Sequence, residues 1–292
     1  MNSDGSGTVL GFTDPVTASE TSLFSFNPLV YLYFMLSFLL VPYPIYRLIA
    51  ARYRWETNYK SMARHWSDLI NGLSYGTLLF VFGNYSKAFS WVTVVAFYPA
   101  LFGYALIAEL SFTKTSLPNI KSWPFGMWAV FITAVVIILA FAAFHIYYAT
   151  TLANPFVAYY VCSLLIPLFL FAVGLMMIKE NNQNWVRTRL FKKSIKLNTK
   201  PDIERDPASP ESAEAQAQAD AEAQQAAQAE QIQTLSPYRN RVGLHLHHWQ
   251  IFYMLAFFTR FIHPVSQVGA GIVLACYMEG VCAYGYDGLL ND

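Results

Sequence analysis

Seven apolar stretches of 18 to 25 residues dominate this chain of 292 residues. Because a helix rises about 1.5 Å per residue, about 20 apolar residues are needed to cross the hydrocarbon core of a bilayer. The candidate spans are residues 28–50, 67–85, 88–110, 124–148, 154–178, 245–262 and 264–285. A helix satisfies all its own backbone hydrogen bonds in lipid. The pattern therefore predicts an all-α, polytopic membrane helix bundle with about seven transmembrane helices.

The charge content supports a surface that faces lipid. Only 13% of the residues are charged, against about 25% in soluble domains. The formal net charge of +1 gives no reason to expect nucleic acid as a partner. Cys162, Cys276 and Cys282 all lie inside apolar runs, which indicates reduced packing residues and not a disulfide framework. The predicted partner is the lipid bilayer.

The distribution of basic residues predicts the orientation of the bundle. Seventeen of the nineteen Lys and Arg residues fall in or beside the first, third and fifth connections between spans, and two fall on the opposite side. Cytoplasmic loops are enriched in these residues. The N-terminus is therefore predicted outside or in a lumen, and the C-terminus in the cytoplasm. The pattern fits a plasma membrane and an internal membrane equally well.

Composition divides the chain into four regions. Residues 1–27 form a polar, flexible tail, and residues 28–178 form a region of five transmembrane helices. Residues 179–243 form a cytoplasmic linker, which is first basic and then rich in Ala, Gln and Glu, and we expect it to be partly disordered. This linker is a candidate site for a cytoplasmic protein partner. Residues 244–292 form a C-terminal transmembrane hairpin that carries a cluster of histidines.

The histidine cluster is the strongest concentration of chemical groups in the sequence. His245, His247 and His248 are three of only six histidines and begin the predicted sixth span. Imidazole is a common metal ligand, and ionisable groups at membrane depth usually serve a function. If the last two spans form a hairpin centred near His263, then Glu279 lies at a depth similar to that of His247 on the neighbouring helix.

Four further polar residues are predicted near the same membrane face, namely His65, Asp68, Glu109 and Asp287. Two or three histidines with a carboxylate suit zinc or iron, so His245, His247, His248 and Glu279 are candidate metal ligands. Two other interpretations remain open at this point. The cluster can be a structural polar network, or it can handle protons or substrate without a metal. No motif in the sequence assigns a reaction.

The C-terminal 48 residues also carry an ordered set of motifs. The set runs His245-Leu246-His247-His248-Trp249, Thr259-Arg260, Gly271, Gly280, Tyr284-Gly285-Tyr286-Asp287 and Leu289-Leu290. It resembles the C-terminal membrane region of fungal and protist LCCL-domain-containing membrane proteins. Glu279 stands where that family is expected to have Asn, and the Cys-rich LCCL domain itself is absent from this sequence. The resemblance implies a polytopic protein of an internal or surface membrane, and it implies no particular activity.

Three classes of function fit the sequence. Ser61, His65 and the clustered histidines are similar to the pattern of the alkaline ceramidases, which implies a membrane-embedded, zinc-dependent lipid hydrolase, but the HxxxH motif of that superfamily is missing. Seven spans with an outside N-terminus match a receptor in outline. The deep carboxylate of Glu279 fits a transport protein. The prediction is thus a multi-pass membrane protein of unassigned activity with a polar site at the cytoplasmic mouth of the bundle.

Overall fold

The computed structural model describes residues 25–114, 122–154, 156–186 and 242–291, together with positions 189, 218, 220–225 and 227. Most of the predicted tail and linker lie outside these residues. The described chain is mostly helical, as predicted. Its helices are α1 (Pro28–Met35), α2 (Pro42–Tyr53), α3 (Met62–Phe82), α4 (Tyr85–Ala88), α5 (Trp91–Ala108), α6 (Phe125–Thr151), α7 (Phe156–Gln183), α8 (His248–Ala256) and α9 (Pro264–Ala283).

Local sequence explains how the first helix begins and bends. The Asn27 side chain accepts hydrogen bonds from the backbone N–H groups of Leu29 and Val30, which is a typical helix N-cap. A π-helical turn, Leu36–Leu40, joins α1 to α2 just before Pro42. Because proline has no N–H to donate, the wider turn accommodates it inside one continuous apolar helix.

Five helices among the described residues are long and apolar enough to cross a membrane. They are Pro28–Tyr53, Trp91–Ala108, Phe125–Thr151, Phe156–Gln183 and Pro264–Ala283. Only 6% of the most apolar window of α6 is buried within the protein, whereas 72% of that of α9 is buried. Five such helices are typical of a multi-pass membrane protein, and among them α6 is the most exposed and α9 the most buried.

The count of seven spans is not reproduced by the structure. The second predicted span lies in α3, which has 21 residues but is too polar to join the five. The sixth predicted span is reduced to α8, which has nine residues. The chain leaves the helix after Ala256 because distant side chains satisfy its backbone. Tyr85 donates its hydroxyl to the Ala256 carbonyl, and the Asn84 side-chain amide donates to the Arg260 carbonyl.

The last two helices, α8 and α9, form an antiparallel pair that packs on α5. A Cβ added at Gly280, near the end of α9, would lie 2.6 Å from His248 Nε2 at the start of α8. A Cβ added at Gly271 would lie 2.6 Å from the Thr93 carbonyl oxygen of α5. Gly271 thus lies where the backbones of α9 and α5 approach closely, a contact that a small residue permits.

The described residues of Met1–Phe169 and Leu246–Asp287 form one compact unit. Its core is aromatic and includes the fully buried side chains of Phe80, Tyr85, Phe97 and Phe257. The described residues of Leu170–His245 and Gly288–Asp292 form a second unit. Within it, the short strands β1 (Gly243–Leu244) and β2 (Leu290–Asn291) pair in antiparallel fashion, with Leu244 opposite Leu290.

Candidate functional site

The three clustered histidines occupy different structural positions. His245 belongs to the second unit and is exposed. His247 precedes α8, and its backbone N–H donates a hydrogen bond to Gln250 Oε1 at 3.0 Å. His248 begins α8 and lies beside the carboxylate of Glu279, with 3.4 Å between Nε2 and Oε2. The histidine that contacts Glu279 is therefore His248, one residue beyond the one predicted from depth.

Glu279 is buried in the interior of the first unit. Only 3% of its surface is exposed. The Tyr46 hydroxyl donates to Oε1 at 3.1 Å, so α2, α8 and α9 each bring one residue to this point. A buried carboxylate needs such partners, because removing it from water is costly. The geometry makes Glu279 the centre of the candidate site.

A cavity of about 340 Å³ adjoins Glu279, and we refer to it as the Glu279 cavity. It is lined by Glu56, Tyr104, Ile107, Ala108, Thr113, Lys114, Met127, Val130, His248, Glu279 and Tyr284. Ligand pockets in proteins typically measure about 300–1,000 Å³ and combine apolar walls with a few convergent polar groups. The Glu279 cavity has this size and this composition.

Charged side chains form a rim on the Glu279 cavity. Lys114 Nζ lies 3.0 Å from Glu109 Oε2 and 3.3 Å from Glu56 Oε2. Hydrogen bonds to Glu109 and Glu56 raise the pKa of Lys114. The Glu109 carboxylate also accepts the backbone N–H of Glu56. Glu109, which was predicted as a supporting residue, thus positions the rim and does not contact Glu279.

A second polar cluster, the Lys60–Asp68 network, holds the end of α9. Lys60 Nζ lies 2.9 Å from Asp68 Oδ2, and both side chains are almost completely buried. Lys60 also donates to the carbonyl oxygens of Val281 and Cys282, at 2.7 and 3.1 Å. These carbonyls lie in the last turn of α9, where a helix has unpaired acceptors and the negative end of its dipole. Burial lowers the pKa of Lys60, and Asp68 opposes that shift.

Two other predicted residues belong to this network. His65 Nδ1 lies 2.9 Å from the Tyr43 hydroxyl, which itself donates to Asp68 Oδ2. Burial, followed by the positive charges of Arg47 and Lys60, lowers the pKa of His65. Arg64 bridges the network to the surface, because it pairs with both Asp68 and Asp287. Asp68 and Asp287 therefore connect α3 to the chain that follows α9, whereas His65 connects α3 to Tyr43 of α2.

The metal-binding prediction concerns four candidate ligands, His245, His247, His248 and Glu279. In the ranges that the structure describes, no group of three His, Cys, Asp or Glu side chains is arranged to hold a metal ion. Among the four candidate ligands, His248 and Glu279 contact each other. A metal-binding role for His245, His247, His248 and Glu279 stays a prediction from the sequence.

Several residues of the site were missed by sequence reasoning. Lys60 and Arg64 contribute to the predicted orientation only as basic residues of the first connection. With Asp68 they follow each other at helical i, i+4 spacing, which favours ion pairs. Tyr46 and Tyr104 lie inside apolar spans, where no sequence pattern distinguishes them from packing residues.

No model of a known protein family, no curated protein and no solved structure matches this chain. Its function is therefore inferred from the geometry of the site.

Proposed function

We propose that this multi-pass membrane protein binds a small polar ligand in the Glu279 cavity. One observation carries the proposal. A carboxylate that is 3% exposed lies in the wall of a cavity of about 340 Å³. The cavity opens to the surface beside Glu56 and Lys114, which gives a molecule access to it. A carboxylate buried only to stabilise the fold needs partners but no adjoining space.

The chemistry of the cavity wall supports a ligand that is polar at one end. Glu279 and His248 supply hydrogen-bonding groups on one side, and Met127 and Val130 supply apolar surface. In the liquid, a water molecule occupies about 30 Å³. The cavity therefore has room for an organic molecule and is too large for a bare ion.

We also propose the seven-span topology, with the N-terminus outside and the cavity at the cytoplasmic end. His248 lies against Gly280, and the Phe261 backbone N–H donates to Ser266, so residues 248–261 run alongside about 14 residues of α9, which rise about 21 Å. We assign the remainder of a hydrocarbon core of about 30 Å to the residues that flank this segment. Irregular backbone is tolerated at membrane depth where protein covers it. Phe257 and Phe261 are fully buried, which supports this crossing.

The proposed kinship with LCCL-domain-containing membrane proteins is supported by the positions of the motif residues. Trp249 packs edge-on against Tyr286, with 5.0 Å between ring centroids. Gly280 lies against His248, and Asp287 pairs with Arg64. The motif residues thus hold α8, α9 and the chain that follows α9 together, a structural role that related proteins would share.

Ligand binding is tested with the full chain in dodecyl maltoside micelles, by thermal stabilisation with small compounds of different charge. Choline, its neutral carbon isostere 3,3-dimethylbutanol, and acetate serve as probes. A compound present at about 100 times its Kd stabilises a protein by about 2.7 kcal/mol. At least one probe is expected to raise the Tm of the wild type.

A cavity-filling variant provides the matched control. Met127→Trp fills the cavity and is expected to abolish the stabilisation. Val136→Trp places the same residue on the same helix at a side chain that is 58% exposed, so it should leave the stabilisation unchanged. If no probe stabilises the wild type, or if Met127→Trp responds as Val136→Trp does, the proposal is wrong.

A further inference from the structure

The Glu279 cavity has an excess of negative charge. The carboxylates of Glu56 and Glu279 line the cavity, and that of Glu109 lies at its rim. Among the lining residues, Lys114 supplies an ammonium group. The Lys114 ammonium is already engaged by Glu56 and Glu109. Within the cavity lining, the Glu279 carboxylate therefore has the His248 imidazole beside it, whereas the Lys114 ammonium pairs with Glu56 and Glu109.

The two oxygens of Glu279 differ in their partners. Oε1 accepts a hydrogen bond from the Tyr46 hydroxyl at 3.1 Å. Oε2 lies 3.4 Å from His248 Nε2, and the buried Nε2 atom has no properly aligned hydrogen bond. Oε2 is thus placed to accept a hydrogen bond or a charge contact from a molecule in the cavity.

Aromatic rings complete this environment. Tyr104 and Tyr284 line the same cavity as the Glu279 carboxylate. The Tyr284 ring stands perpendicular to the His248 ring, with 5.6 Å between centroids. Aromatic faces attract ammonium groups, and sites for organic cations commonly combine such rings with a carboxylate.

We infer that the ligand of the Glu279 cavity carries an organic ammonium group, which pairs with Glu279 and lies among the tyrosine rings. The inference rests on the proposed function and adds the charge and class of the ligand. Two sources provide this chemistry, namely a free amine and the ammonium headgroup of a membrane lipid. The exposed carboxylates at the rim raise the local concentration of cations from either source.

The test compares the affinity of choline with that of 3,3-dimethylbutanol, which has the same shape without the charge. Binding is measured by titration calorimetry on the full chain in dodecyl maltoside micelles, whose headgroup has no ammonium. Choline is expected to bind at least tenfold more tightly. In Glu279→Gln, choline affinity should fall at least tenfold, while the affinity of the neutral compound should change less than twofold. The amide oxygen can still accept the Tyr46 hydrogen bond, so this contact is kept.

Three controls make the outcomes distinct. Glu56→Gln neutralises an exposed rim carboxylate and should reduce choline affinity less than threefold. Tyr104→Leu retains the carboxylate and should weaken choline more than the neutral compound, which keeps the inference testable if Glu279→Gln does not fold. Micelles doped with phosphatidylcholine identify the source. A tenfold weaker apparent affinity for choline indicates a lipid headgroup, and an unchanged affinity indicates a free amine.

Equal binding of choline and 3,3-dimethylbutanol would overturn the cation inference while leaving a ligand site in place. If neither compound nor acetate binds, the proposed function fails as well.

Discussion

Replacing Asp68 with Asn removes the carboxylate that pairs with the buried Lys60 ammonium. The two atoms lie 2.9 Å apart, and the side chains are 1% and 0% exposed. Asn keeps the shape of the side chain and can still accept the backbone N–H of Tyr286, which now donates to Asp68 Oδ1 at 3.1 Å. The substitution therefore isolates the effect of the charge.

The expected loss is large because a buried charge is left without its partner. Breaking a buried ion pair by removing one member costs about 3–5 kcal/mol. For a protein of this size, this corresponds to a fall in Tm of about 6–20 °C. Asp287→Asn is the matched control, since that carboxylate pairs with Arg64 at a site where the side chains are 34% and 36% exposed. An exposed pair contributes about 0–1 kcal/mol.

The assay is thermal unfolding of both variants and the wild type in the same detergent. A double variant, Lys60→Met with Asp68→Asn, removes both charges, so its loss should be smaller than the sum of the two single losses. If Asp68→Asn destabilises the protein no more than Asp287→Asn does, or if the two single losses are additive, the buried ion pair does not stabilise the end of α9.

Three other predictions concern separate parts of the molecule. The fold lowers the pKa of His65, so just below about pH 6.5 this side chain binds more protons in the unfolded chain than in the folded one. The free energy of unfolding should therefore fall on acidification from pH 7 to 5.5. His65→Asn should flatten that dependence in thermal melts. Gly280→Ala should destabilise the protein by about 1–3 kcal/mol, because the new Cβ would lie 2.6 Å from His248. Gly103→Ala, whose Cβ would have nothing within 4 Å, should stabilise the protein slightly. Equal effects of the two substitutions would contradict the packing of α8 on α9. Ser266→Ala should cost about 1–3 kcal/mol, since Ser266 Oγ accepts the Phe261 N–H and lies 2.9 Å from His145 Nε2, and a loss no larger than that of the exposed Ser67→Ala would refute this.

The length and apolar character of the spans predict the helical membrane fold, because these properties are local to each segment. The exceptions have non-local causes. The sixth span stops being helical after Ala256 because Asn84 and Tyr85, about 170 residues earlier in the chain, supply the hydrogen bonds that let the backbone leave the helix. The sequence of residues 245–262 alone therefore cannot predict where this helix ends.

The candidate site could likewise be predicted only in part. Hairpin symmetry places a histidine of the cluster beside Glu279, and the structure assigns that contact to His248. The third partner, Tyr46, lies 233 residues away in sequence, and the cavity depends on residues from α5 and α6. These relations arise only when the helices pack.

The most direct test of the central claim is a cryo-electron microscopy map of the full chain in lipid nanodiscs. We expect the Glu279 carboxylate to contact Tyr46 and His248, with density for a bound molecule beside Oε2 in the cavity between Tyr104 and Tyr284. A Glu279 side chain that points into lipid, or a cavity closed by the surrounding side chains, would contradict the account.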